Sequence, residues 1–187
     1  MRVIAGSAKG RTLLGPKRDD PIRPVEDRVK ESLFNILWDV TGLRILDAFA
    51  GTGAIGIEGL SRGAAHCTFI DQSPRAIALI TANVERCGLL ERATIVRASV
   101  DRALERLAKG TVPFDLLFID PPYTQDLVAP TLAQLAATPL LAPAGRILIE
   151  HEHKLVLALP PTLQLTDQRT YGQTVVSFVR RMTINPG

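Results

Sequence analysis

A strand pattern that runs without a spacer into a glycine-rich turn sets the tightest limit on this chain. Leu43 to Phe49 reads as a buried strand, and Ala50 to Gly56 follows at once, opening a helix that extends to about Ser61. Gly51, Gly53 and Gly56 satisfy G-x-G-x-x-G in the strand-turn-helix context that gives the motif meaning, since the glycines let the backbone approach a nucleotide and the helix approach the sheet. A second strand, His66 to Ile70, ends at Asp71, about where an acid meets a ribose hydroxyl in such units. A nucleoside-containing cofactor is therefore expected. Asp47 precedes the glycines, where a carboxylate can meet the ammonium of a methionine moiety but would repel a pyrophosphate. That favours a methyl donor, with a dinucleotide kept as the alternative.

The alternation continues down the chain. Pro74 to Cys87 predicts a helix, Ala93 to Arg97 a third strand, Val100 to Ala108 a helix, Phe114 to Ile119 a fourth strand, Gln125 to Ala137 a helix and Arg146 to Glu150 a fifth strand. Strands alternating with helices imply an α/β fold with a parallel sheet. From Pro160 the pattern becomes a hairpin, Leu163 to Thr166 and Val175 to Val179 joined through Tyr171-Gly172, so an antiparallel edge should close the sheet. Upstream, Met1 to Leu14 reads as a short hairpin, and Gly15 to Pro21 as a polar connector. A helix follows, with Pro24 in its first turn and Val25, Val29, Leu33, Ile36, Leu37 and Val40 inward. Asp27, Arg28, Lys30 and Glu31 fall on its solvated side in this reading.

Asp120-Pro121-Pro122-Tyr123 lies at the carboxyl end of the fourth strand, where open α/β sheets bind ligands. Two prolines stiffen the turn. The Asp120 carboxylate and the Pro121 carbonyl could accept the N–H groups of a planar amine while Tyr123 stacks on its ring. An exocyclic-amino nucleobase fits that description.

Composition narrows the class. At 187 residues with 46% hydrophobic and 22% charged content, the chain matches one soluble domain. Residues 1–23 form a hairpin and connector, and 24–187 the catalytic core. No apolar run reaches membrane-helix length and the start lacks a signal-peptide core, so a cytoplasmic protein is expected. Cys67 and Cys87 suit a reducing compartment as small buried residues. Residues 1–30 hold eight basic against four acidic side chains, whereas the rest is nearly balanced. Arg2, Lys9, Arg11, Arg23, Arg28 and Lys30 are thus candidates for a phosphate backbone, a solvated tail being the other reading. His151 and His153 share a strand face without a third ligand, so no metal is expected.

These stretches resemble the class I S-adenosylmethionine-dependent methyltransferases and, more narrowly, the bacterial RsmD family, which methylates the N2 amine of one guanine in 16S rRNA. The resemblance spans nearly the whole chain. It rests on Met1 to Arg11, Arg23 to Asn35, Leu46 to Gly63, Asp120 to Tyr123 and Arg169 to Gly172. It implies a Rossmann-like, seven-stranded, mostly parallel sheet in the order 3-2-1-4-5-7-6, with strand 7 antiparallel. It also implies S-adenosylmethionine, leaving as S-adenosylhomocysteine, held by Asp47, Phe49, Gly51, Thr52, Gly53, Asp71, Gln72 and Ser99, with the target base over Asp120, Pro121 and Tyr123. Ser99 departs from the Asp or Asn that such enzymes often carry there. The expected partner is 16S rRNA or the small ribosomal subunit, met by a monomer. Rival readings are an adenine-N6 DNA methyltransferase, which the same amine-accepting turn would serve, a non-catalytic ribosome-assembly RNA binder and an NAD oxidoreductase.

Overall fold

A computed structural model describes residues 1–16, 27–110, 112–122 and 126–182, with the side chains of Asp27 and Arg28 excepted. The described elements are α1 (Asp27–Leu37), β1 (Arg44–Ala48), α2 (Ala54–Ser61), β2 (His66–Asp71), α3 (Pro74–Cys87), β3 (Ala93–Arg97), α4 (Val100–Leu107), β4 (Phe114–Ile119), α5 (Val128–Ala137), β5 (Leu141–Glu152), β6 (Leu163–Tyr171) and β7 (Thr174–Arg181). The strands form one seven-stranded sheet in the order β3-β2-β1-β4-β5-β7-β6. The β1–β2, β2–β3 and β4–β5 pairs are parallel, while β7 runs antiparallel to both β5 and β6. Met1–Val100 and Asp101–Gly187 each cluster as a compact unit.

Within the first unit, β1 and β2 are buried almost end to end, the pattern of parallel strands covered on both faces. All eight residues of α2 are buried as well. A Cβ on Gly56 would stand 2.3 Å from the Phe69 ring, so only glycine lets α2 lie this close to β2. α3 is bounded by clear signals: the Ser73 hydroxyl accepts from the Ala76 N–H, Pro74 occupies the first turn, and Gly88 closes the helix at φ 68°.

In the second unit, α5 begins at Val128 rather than Gln125, which itself lies outside the described residues. Pro130 explains the late start, because a proline is tolerated in the first turn but breaks a helix interior. β5 is longer than Arg146 to Glu150 and absorbs Pro143 and Gly145 through a register shift opposite Phe114 and Leu116. The terminal hairpin is also longer on both arms, turning at Gly172 with φ 62°.

Two expectations need correction near the N-terminus. Residues 1–14 do not form two regular strands. They close as a tight loop with a single antiparallel bridge, Arg2 to Thr12, reinforced by hydrogen bonds from the Val3 N–H to Arg11 and the Gly10 N–H to Val3. Lys30, expected on the solvated side of α1, is 0% exposed. Its position matches Phe34 and Leu37 on the apolar face, and its ammonium donates to the Arg2 carbonyl at 2.6 Å and pairs with Glu58 at 3.5 Å. α1 then stops at Leu37, before Gly42, as Trp38 adopts φ 64° and leaves 91% of its surface exposed.

Glu58 is the point on which this region converges. Its carboxylate is 0% exposed and accepts from the Ile4 N–H at 2.9 Å, the Ala5 N–H at 3.0 Å and Arg62 Nε at 2.8 Å, besides Lys30. One turn on, Ser61 Oγ accepts from the Ala8 N–H and donates to the Ala5 carbonyl. Gly6 passes so near α2 that a Cβ would fall 1.8 Å from the Ser61 carbonyl oxygen. Glu58→Ala would leave the Lys30 charge buried without its partner and is expected to lower the free energy of unfolding by about 3–5 kcal/mol, read by urea denaturation.

Candidate active site

The carboxyl end of β1 and the turn into α2 form a cradle that combines backbone strain with paired acids. Asp47 is the next-to-last residue of β1 and is buried; its Oδ2 accepts from the Gly56 N–H at 2.9 Å, clamping strand to helix. The chain then takes Phe49 through φ 64°, Gly51 through 57° and Gly53 through 75°. Phe49 is notable because a bulky non-glycine residue is rarely left-handed, and such strain collects at ligand sites. The Ala50 N–H bonds to Ile70 at 2.9 Å and the Gly53 N–H to Ala50 at 2.7 Å, which fixes the turn against β2.

Asp71 ends β2 and supports the same turn. Its Oδ2 accepts from the Gly51 N–H at 2.9 Å and its Oδ1 from the Ser73 N–H at 2.8 Å. A carboxylate offers about four lone-pair sites, so acceptor capacity is left for a ligand hydroxyl. Gln72 beside it is exposed. Ser99 is half-buried after β3, next to Ala98, whose N–H donates to the Asp71 carbonyl at 3.1 Å. The structure thereby gathers Asp47, Phe49, Gly51 and Gly53 into one strand-turn-helix, tied through Gly51 to Asp71 at the end of β2, with Gln72 and Ser99 beside that strand and the next.

Thr52 behaves differently from the expected cofactor contact. It is 3% exposed, and its hydroxyl donates to the Met1 sulfur at 3.6 Å. The side chain is engaged by the N-terminal arm rather than presented to a ligand. Its carbonyl accepts from Asn83 Nδ2 at 3.0 Å. Sequence reading passed over both Asn83 and Glu58. A polar residue at helical spacing with Ala76, Ile80, Val84 and Cys87, and an acid inside a helix otherwise apolar up to Ser61, were the signals available.

Electrostatics mark Asp47 as the unsettled member of the cradle. Burial pushes its carboxyl up from the ordinary 3.8 to about 7; the Gly56 N–H works against this, and the nearby Asp71 charge adds to it. Two carboxylates this close to one turn favour a cationic group and disfavour a phosphate, which fits a sulfonium with an ammonium better than a pyrophosphate. Burial likewise holds the Cys67 thiol well above its usual range, with the Asp47 charge adding, so Cys67 is an inert core residue.

Of the other expected residues, Asp120 follows β4 half-buried and Pro121 is buried, both in the second unit. Tyr123 and Arg23 lie outside the described residues, as does the Arg28 side chain. Arg2, Lys9 and Arg11 are exposed on the arm. Lys30 cannot reach a phosphate backbone from its buried place beside Glu58.

Comparison with known proteins agrees with this architecture. The family model described as "Conserved hypothetical protein 95" matches residues 1–180. A Bacillus subtilis protein named "Putative rRNA methyltransferase YlbH" is 38% identical over 185 residues, covering 97% of this chain and 99% of its own. Ribosomal RNA small subunit methyltransferase D of Escherichia coli is 33% identical over 184 residues, covering 97% and 90%. The solved structure described as "Putative methyltransferase yhhF from Escherichia coli" superposes with a TM-score of 0.83 at 32% identity, covering 97% of each chain.

Because Asp47 is favoured in its neutral form by the fold, its contribution to stability is full below pH 3.8 and is lost as pH rises through about 7. Stability of the ligand-free protein should therefore fall across that window by up to about 1.4 kcal/mol per pH unit from this residue. Asp47→Asn is expected to flatten the fall and to be the more stable protein at pH 8, measured by urea unfolding at pH 5 and 8.

Proposed function

The chain belongs to this family, and on that premise we propose that it transfers the methyl group of S-adenosylmethionine to the exocyclic N2 amine of a guanine in small-subunit rRNA. The observation that carries the donor half is the pair of carboxylates, Asp47 and Asp71, set around a left-handed glycine turn. Asp47 would meet the donor's ammonium and Asp71 its ribose hydroxyls, with the Phe49 to Gly53 backbone shaping the space between. The rRNA half is supported by the names of relatives that match nearly the whole chain.

When bound, S-adenosylmethionine supplies an already activated sulfonium methyl. What the chain must add is control of a poor nucleophile, since the guanine N2 lone pair is delocalised into the ring. In this reading the Asp120 carboxylate and the Pro121 carbonyl accept the two N–H hydrogens, favouring a pyramidal nitrogen with its lone pair aimed for in-line attack. Tyr123 stacks on the base, offsetting part of the cost of drawing it out of its helix, and Asp120 can take the proton lost after transfer. Lys9 and Arg11, with Arg2, supply the phosphate contacts from the arm.

Asp120→Ala is expected to abolish transfer from labelled donor to unmodified small subunits while donor binding stays near the parent value. Retention of more than about a tenth of kcat, only ~1.4 kcal/mol of barrier, would overturn the assigned role. Mass spectrometry of the modified nucleoside, with DNA as a parallel substrate, separates guanine N2 from adenine N6. Replacing Lys9 and Arg11 by Ala should weaken rRNA binding and make its dependence on salt shallower by roughly two units of logarithmic slope.

A further inference from the structure

Asn83 joins two regions that the functional reading keeps separate. It lies in the middle of α3 and is 0% exposed. Its Oδ1 accepts from the Leu14 N–H at 2.7 Å, and its Nδ2 donates back to the Leu14 carbonyl at 3.0 Å. That two-point grip reproduces one rung of a β-ladder with a side chain. The same Nδ2 group donates to the Thr52 carbonyl inside the glycine turn at 3.0 Å. An amide carries two N–H hydrogens, and here one is committed to the basic arm and the other to the turn.

A second link runs in parallel. The Thr52 hydroxyl donates to the sulfur of Met1, and Met1 is held to the arm through its carbonyl, which accepts from the Leu13 N–H at 3.2 Å. Both polar groups of Thr52, hydroxyl and carbonyl, are thus bonded to groups that also hold residues 1–14. The turn cannot shift without loosening the arm.

From this we infer that Asn83 is a positioning residue that couples the arm to the turn, so that RNA and methyl donor bind cooperatively. The inference rests on the reading of residues 1–14 as an RNA contact and of Phe49 to Gly53 as the donor site. RNA seated across Lys9 and Arg11 orders the arm; through Leu14 and Asn83 this holds the Thr52 carbonyl in its binding position. By linkage the donor must tighten RNA by the same factor.

The test compares the Kd of S-adenosylhomocysteine, by isothermal titration, alone and with saturating 16S rRNA transcript or unmodified small subunits. In the parent protein the RNA-bearing partner should tighten this ligand by about fivefold or more. In Asn83→Ala, and in Leu14→Pro, which removes the N–H that Asn83 accepts and fixes φ there, the ratio should fall toward one while both ligands still bind, the Thr52–Met1 contact being left in place. A purely structural role would weaken binding or lower Tm and leave the ratio intact. Leu14 is 41% exposed, so the second variant tests the link even if the first fails to fold. A parent ratio of one, or a ratio unchanged in the variants, overturns the coupling alone. Absence of any RNA binding by the parent overturns the coupling together with the functional reading.

Discussion

A single buried carboxylate organises the amino-terminal unit. Glu58 gathers two backbone N–H groups, an ammonium and a guanidinium around one side chain that water does not reach. A charge so placed is tolerable only while every donor is present, because the loss of solvation is large and is balanced by close, well-aligned contacts. The arrangement is therefore close to all-or-none. α1 through Lys30, the arm through Ile4 and Ala5, and α2 through Glu58 itself must be in place together. Since α2 begins at the glycine turn, the ion cluster also sets where that turn stands.

The acids of the cradle show two ways of keeping a carboxylate. Asp71 receives a backbone N–H on each oxygen. Asp47 receives one N–H and deeper burial, and its proton affinity rises accordingly. The fold thus disfavours a charge on Asp47 until the pH passes about 7. Sites that store such a cost tend to be where a ligand relieves it.

Most of the framework was legible in the sequence because its signals are local. Ser73 and Pro74 open α3 and Gly88 closes it, and the runs Ala93 to Arg97 and Phe114 to Ile119 are strands with the expected bounds. Where the reading went astray, a local signal competed with a distant partner. The fifth strand was expected to begin at Arg146, but β5 starts at Leu141 and takes Pro143 and Gly145 through a register shift against β4. Lys30 looked like a surface charge because the acid that neutralises it is 28 positions away, and nothing in the spacing of α1 reveals Glu58. Asn83 and Thr52 were harder still, since Asn83 is held by backbone groups of Leu14 and Thr52, and the Thr52 hydroxyl by the sulfur of Met1, partners that residue type does not announce. Phe49 was read as the last residue of the first strand, whereas β1 ends at Ala48 and Phe49 turns with a positive φ that its side chain would argue against.

Trp38 carries an optical consequence. It is the chain's sole tryptophan, and with 91% of its surface exposed the indole already experiences water in the native state. Unfolding changes its surroundings little, so the emission of this protein is nearly blind to loss of the core. The same fluorophore stands at the end of α1, one turn past Phe34, and its colour will respond chiefly to whatever molecule comes to rest against that helix end.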